Sequence, residues 1–367
     1  MRPQHLRSLS FALACCTATH AVAAPGVIDA QAFRNPAGAY EVTWKTEGAA
    51  VPVAVFVADK PDGAAPRKAV ATNDRDGKAV IPAKLAGNRP YFHVVVDGGP
   101  DDPKRDGVWA AERVLPLQQA SNFRDLGGYR TVDGKHVRWG MIYRSGAPAM
   151  LSPADLAFVD GLNIRTTIDL RSNEERRLTP SLFASANDRR TISHDYSMLA
   201  LLPESTRGTM GLPERGGYGS VATTLAPLFK DVFQSLETAD GAVHFHCSAG
   251  QDRAGMTAAL ILAALGVPRD VILKDYHLST SARRPKYEMP PIDLAKHLND
   301  PIAAFFAAAQ KSGKDAPQPL FGKDGVSILG ATFDMIDAQW GSVEGYLRAV
   351  VGLTDSDFAR LRTTYLE

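Results

Sequence analysis

The stretch "GAVHFHCSAGQDRAGMTAALILAALG", residues 241–266, constrains this chain more than any other. Its first part, 241–247, is a run of β-branched, aromatic and His residues that reads as a buried strand. The apolar run after Arg253 reads as a helix. A strand that passes through the short loop Ser248 to Asp252 into a helix is a unit of a mainly parallel sheet covered by helices. The same alternation occurs elsewhere after Leu117. Residues 151–162 carry helix-start signals at Ser152, Pro153 and Asp155. Residues 164–171 read as a buried strand running into "SNEER", where Ser172 and Glu175 fit a capping box. Residues 342–352 and 354–366 read as two capped helices, with Gly352 as a C-terminal stop.

The region before Leu117 has a different pattern. Residues 39–46, 51–59, 78–83 and 89–98 are short strand-like runs, and 108–117 would close the set. Turn clusters such as "DKPDGAAP" and "NDRDG" separate them,. This predicts a small β-sandwich over 24–117, ahead of an α/β domain over 118–367. His93 falls within a strand pattern and reads as a packing residue. Segments 201–220 and 283–326 resist assignment, apart from a short helix at 300–310. Each is a candidate lid or substrate loop.

Cys247 ends the strand and Arg253 begins the helix, so the loop between them wraps a helix N-terminus. Backbone N–H groups and the helix dipole there favour an anion. Gly250 permits a tight turn, and Arg253 offers a planar fork for two phosphate oxygens. The expected phosphate-binding set is Ser248, Ala249, Gly250, Gln251 and Arg253. The same field favours ionisation of the Cys247 thiol, making it a nucleophile for phosphorus. His246 is expected to support the loop or the sulfur. Asp252 is the nearest candidate acid for the leaving oxygen. Asp169, at the end of a strand, is the rival acid, although pairing with Arg171 suits it better. His194 and His277 lack partners at metal-ligand spacing, so neither metal nor cofactor is expected.

The loop resembles the signature His-Cys-x-x-Gly-x-x-Arg of cysteine-dependent protein-tyrosine phosphatases. It is most similar to a bacterial branch whose loop reads His-Cys-x-Ala-Gly-Lys-Asp-Arg-Thr-Gly. "SNFRDLGGYRT" (121–131), "IYRSGAP" (142–148), "IDLRSNEER" (168–176), "KDYHLS" (274–279) and "GSVEGYLR" (341–348) extend the resemblance over about 118–367. It implies hydrolysis of phosphotyrosine, and in some members of phosphoserine, phosphothreonine or phosphoinositides, with Asp252 as the acid. Arg124 and Asp125 then lie either beside the pocket or in an ion pair that fixes their segment. Two residues depart from the pattern. Gln251 replaces a lysine, which disfavours highly phosphorylated head groups. Ala254 replaces a hydroxyl residue that commonly aids thiolate stabilisation and the second chemical step, which bears on turnover rate.

The near-neutral balance, +1 over 367 residues, supplies no global attraction to nucleic acid or a membrane,. Residues 1–23 read as a secretory signal: Arg2 and Arg7, an apolar stretch too short to span a bilayer, then Ala21-Val22-Ala23. Cleavage there leaves 39 basic and 40 acidic residues, a charge of −1, and removes Cys15 and Cys16. Cys247 would then be a lone thiol in an exported, periplasmic or secreted protein. The expected partner is a phosphorylated protein or a small phosphate ester, with an unknown ligand for the β region. Two other functions use such a loop: a rhodanese-type sulfurtransferase and a non-catalytic phospho-ligand module. The segment Asn122 to Gly128 speaks against the first, and intact Cys247, Asp252 and Arg253 against the second.

Overall fold

The computed structural model describes residues 26–47, 51–61, 68–74, 76–85, 89–96, 107–185, 189–201, 218–238, 240–313 and 316–367. The signal reading (1–23) and nearly all of 201–220 lie outside them. Among the described residues the strands form three sheets. Strands β1 (Val27–Arg34), β2 (Tyr40–Thr46) and β5 (Lys78–Ile81) pair antiparallel in the order β1-β2-β5. Strands β3 (Val53–Ala58), β4 (Lys68–Asp74), β6 (Tyr91–Val96) and β7 (Gly107–Ala111) form a second antiparallel sheet, β4-β3-β6-β7. One apolar cluster takes Val42 and Trp44 from the first sheet and Val55, Phe92 and Val94 from the second. Burial alternates along β2 and β5, as a half-buried face requires, while β6 is buried almost throughout,. His93 is buried and stacks on Trp109, as a packing residue should.

The boundaries needed correction in places. The expected strand 108–117 stops at Ala111. Beyond it the chain leaves the sheet, and Leu115 and Leu117 pack with Phe123 and Val159 in another cluster. β1 and β4 were not foreseen. The "NDRDG" turn gives its first two residues to the end of β4.

The third sheet contains β8 (Arg124–Asp125), β9 (Ile142–Ser145), β10 (Ile164–Asp169), β11 (Arg190–Ser193) and β12 (Ala242–His246), in the order β11-β10-β12-β9-β8. β11, β10, β12 and β9 run parallel, and β8 is antiparallel to β9. Register sets Asp169 opposite His246, and His246 opposite Ser145. The carboxyl ends of the parallel strands thus converge where the loop begins, the place where open sheets gather reactive groups.

Helices follow as the alternation predicts: α1 (Pro153–Asp160), α2 (Asn173–Leu178), α3 (Gly219–Thr224), α4 (Ala226–Thr238), α5 (Arg253–Ala264), α6 (Arg269–His277), α7 (Ser279–Ala282), α8 (Pro301–Ser312), α9 (Ile328–Trp340), α10 (Val343–Tyr346) and α11 (Asp355–Tyr365). The capping boxes at Ser152 and Ser172 form as read. Segment 342–352 is not one helix. It relaxes after Tyr346 into a wider π turn, Leu347–Val351, and ends at Gly352 with φ +88°. Segment 283–326 supplies α8, capped by Asp300, between short turns. α5 is buried on nearly all sides within the main core, which explains its unbroken apolar sequence,.

The two parts of the chain touch through Trp139. Its ring packs with Tyr91 and Trp109, and its Nε1 donates to the Trp109 carbonyl at 2.8 Å. Gly128, at φ +75°, lies so close to that ring that a Cβ would fall 2.3 Å from it.

Candidate active site

β12 delivers Cys247 to the end of the sheet, 2% exposed. It is a free cysteine. The loop then folds back with the carbonyls of Ser248 to Gln251 taken by groups outside it, Gln251 O by Arg144 Nη2 at 3.4 Å. Ser248 O accepts from Ala147 N at 2.9 Å. The Asn122 Nδ2 donates to Ala249 O at 3.2 Å and Gly250 O at 2.9 Å. Arg144 Nη2 donates to Gly250 O at 2.7 Å, and Asp252 O accepts the Met256 amide. Among the described residues, no N–H from Ser248 to Arg253 is matched to a protein acceptor. With the carbonyls held outward, these donors face the concave side beside the sulfur, as in other anion-binding nests. Gly250 is required here. Its φ is +68°, and a Cβ would sit 2.4 Å from Gly146 N,.

The Arg253 side chain, 12% exposed, is held by a residue that the sequence reading treated only as a helix cap. Its Nη1 and Nη2 donate to Glu175 Oε2 and Oε1, both at 2.6 Å. Nη1 also donates to the Tyr196 hydroxyl at 3.0 Å. Glu175 is fully buried at the start of α2 and also accepts from Ser248 Oγ at 2.6 Å. Burial pushes its carboxyl up, but Arg253 and the Ser248 hydroxyl outweigh this and hold it at about 2,. The guanidinium therefore meets the loop as a fixed plane.

Behind the loop, Arg124 and Arg144 share Asp275 of α6. Arg144 Nη1 donates to Asp275 Oδ2 at 2.7 Å, and Arg124 Nε to Oδ1 at 3.1 Å. Asp275 lies well below the usual carboxylate range, since the two guanidiniums outweigh its burial. Arg124 thus has the structural role, but with Asp275 as its partner. Asp125 turns away from the loop. It pairs with Arg89 and accepts from Gly127 N at 2.7 Å and Gly140 N at 2.8 Å. The reading that placed Asp125 beside the pocket, or in a local pair with Arg124, is corrected by these contacts.

Asp169 is bound by Arg171 through Nε at 2.8 Å and Nη2 at 2.6 Å, and His246 Nε2 lies 3.7 Å from its Oδ2. Burial raises its carboxyl, but His246 and Arg171 bring it down to about 2, so it has no proton to donate at neutral pH. Burial pushes His246 down to about 4, which keeps the ring neutral beside the loop.

Asp252 is the one candidate acid that stands on the loop itself. Its Oδ1 accepts from the Tyr218 hydroxyl and from Gln251 Nε2 at 3.1 Å. Gln251 Oε1 in turn accepts from Arg283 Nη1 at 3.0 Å. A cation therefore stands beside the position where the resemblance calls for a lysine. Ala254 is fully buried at the first turn of α5. Ser248 cannot readily stand in for the missing hydroxyl, because its own proton is engaged by Glu175.

Among the described residues, no three His, Cys, Asp or Glu side chains form a set that could hold a metal ion, and no helix is long and apolar enough to cross a membrane. Asn122, Arg144, Tyr218 and Asp275 were given no role at the site from sequence, and Glu175 only that of a helix cap. Arg144 and Asp275 lay within quoted motifs, and Glu175 sat just past a strand's carboxyl end.

A profile of the tyrosine phosphatase family matches residues 115–367. A "putative tyrosine-protein phosphatase" of Cupriavidus necator is 33% identical over 260 residues, covering 69% of this chain and 88% of that protein. Triple specificity protein phosphatase PtpB of Mycobacterium tuberculosis is 27% identical over 285 residues, covering 69% of this chain and 99% of its own length. A crystal structure of P. aeruginosa TpbA overlaps 41% of this chain and 77% of its own, at 17% identity and a TM-score of 0.26. The family match takes in the loop, the residues that brace it and the whole parallel sheet, and on that ground this chain belongs to the tyrosine phosphatase family of phosphoric monoester hydrolases.

Proposed function

We propose that this phosphatase cleaves phosphotyrosine esters in two steps at Cys247. The thiolate attacks phosphorus, an S–P bond forms and the ester P–O bond breaks. Asp252 gives its proton to the departing phenolic oxygen. Water then attacks the phosphocysteine, Asp252 takes a water proton, and the S–P bond breaks to release inorganic phosphate and the thiolate. Arg253 and the loop N–H groups hold the equatorial oxygens throughout. The observation that carries this reading is the loop itself: its carbonyls are engaged by Ala147, Asn122 and Arg144, and among the described residues its N–H groups, directly following Cys247, have no protein acceptor.

Cys247→Ser should abolish hydrolysis of nitrophenyl phosphate yet retain binding of a phosphotyrosine peptide, because the donors and Arg253 survive. Arg253→Ala should lose both. Near-parental turnover by Cys247→Ser would contradict the mechanism.

The similarity to a triple specificity phosphatase supports activity on phosphoserine and phosphothreonine as well. We also infer that the two antiparallel sheets make a small sandwich over 24–117 that docks an unknown partner. The division from the catalytic part would fall near Leu117, and residues 1–23 would direct export.

A further inference from the structure

Among the described residues, the hydrogen bonds to the Asp252 carboxyl all fall on one oxygen. Tyr218, just before α3, donates its hydroxyl to Asp252 Oδ1. Behind it, the Tyr276 hydroxyl of α6 lies 2.7 Å from that of Tyr218, and the two rings meet edge to face at 6.3 Å. Gln251 Nε2 adds a second donor to the same Oδ1. Both tyrosines are buried in the main core, so neither hydroxyl can exchange its partner for bulk water without disrupting packing,. The titratable and charged groups that face Asp252 are Tyr218, Tyr276 and the Arg283 cation. Burial, the Asp252 charge and the neighbouring phenol push Tyr218 well above the usual tyrosine range. It therefore stays a proton donor to Oδ1 across the working pH range.

We propose that Tyr218, backed by Tyr276, is a positioning residue for the general acid. It holds Asp252 by Oδ1 so that Oδ2 carries the proton passed to the leaving group. This rests on the reading of Asp252 as the acid. A donor on Oδ1 serves both forms of the carboxyl, but it binds the ionised form more strongly. Removing it has two consequences. The carboxyl loses its fixed orientation, which matters most when the leaving oxygen needs a proton. The protonated form also becomes relatively favoured, which moves the basic limb of the pH–rate profile upward.

The test uses the full chain with phenyl phosphate, a poor leaving group, and nitrophenyl phosphate, a good one. Tyr218→Phe keeps the ring in the core, and thermal unfolding confirms that the variant is folded. It should lower kcat/KM on phenyl phosphate, which reports phosphoryl transfer to Cys247, about tenfold, the effect of losing one hydrogen bond to a charged group, and affect kcat/KM on nitrophenyl phosphate far less. The basic limb of its profile should move to higher pH. Tyr276→Phe should show the same pattern more weakly. Asp252→Asn, run alongside, should lose the basic limb altogether and slow phenyl phosphate most. If Asp252→Asn keeps that limb, the acid assignment itself fails. If Asp252→Asn behaves as expected while Tyr218→Phe slows both substrates equally and leaves the limb in place, Tyr218 is only a packing residue and this proposal is overturned.

Discussion

Glu175 shows how one residue ties local folding to chemistry. It caps α2, accepting the Ser172 amide at 2.9 Å, and the same carboxylate clamps Arg253 with two 2.6 Å contacts. Glu175→Gln would leave a largely desolvated guanidinium, 12% exposed, without its counter-charge. A change of this kind costs about 3–5 kcal/mol, and the expected outcome is a clear fall in melting temperature. Activity should fall further than stability explains, since Arg253 would lose its fixed plane, and phosphate affinity measured on the folded fraction should weaken. Unchanged phosphate affinity would show that Glu175 only stabilises. His246, by contrast, is neutral because of burial. No ionisation assignable to it should appear between pH 5 and 8 in an NMR titration.

At the level of elements, the strand–loop–helix unit was legible because a short β-branched and aromatic run gives way, across a glycine-containing loop, to an apolar run too long for a strand,. The capping boxes at Ser152 and Ser172 were legible for the same local reason: the partners lie three residues apart. What the sequence hid was long-range. Asn122 crosses to the carbonyls of Ala249 and Gly250, and Arg144 and Asp275 meet across the sheet. Nothing in local spacing pairs residues so far apart. Arg124 and Asp125, adjacent in sequence, separate because successive side chains of a strand point to opposite faces. One serves the loop, while the other faces Arg89. The first turn of α5 carries its own prediction. With Ala254 in place of a hydroxyl residue, and Ser248 committed to Glu175, hydrolysis of phosphocysteine should be the slow step. Rapid mixing with nitrophenyl phosphate should give a burst of nitrophenolate approaching one per enzyme. Ala254→Thr should shrink it and raise the steady rate. A burst-free trace, with an unchanged rate in that variant, would refute the slow second step.

For the whole molecule, the β-rich part is joined to the catalytic part by charge as well as by Trp139. Asp125 is buried, with Arg89 from beside β6 as its cation. Arg89→Ala should destabilise the chain by about 3–5 kcal/mol, because it strands that carboxylate. Unfolding followed by near-UV circular dichroism and by activity should then fall together. Acid should act through the carboxylates that the fold depresses. Asp169 and Glu175, both held at about 2, contribute stability that is fully present above their unfolded values near pH 4 and is lost as pH falls towards 2,. The central claim is that Cys247 becomes the phosphoryl carrier, and the most direct test is to trap it. The enzyme is mixed with a phosphotyrosine peptide, quenched in acid within the first turnover, digested and analysed by mass spectrometry. The account predicts one phosphoryl group on the fragment containing Cys247 in the parent, and none on that fragment in Cys247→Ser. Turnover with no phosphoryl group on Cys247, or the group on another residue, would contradict it.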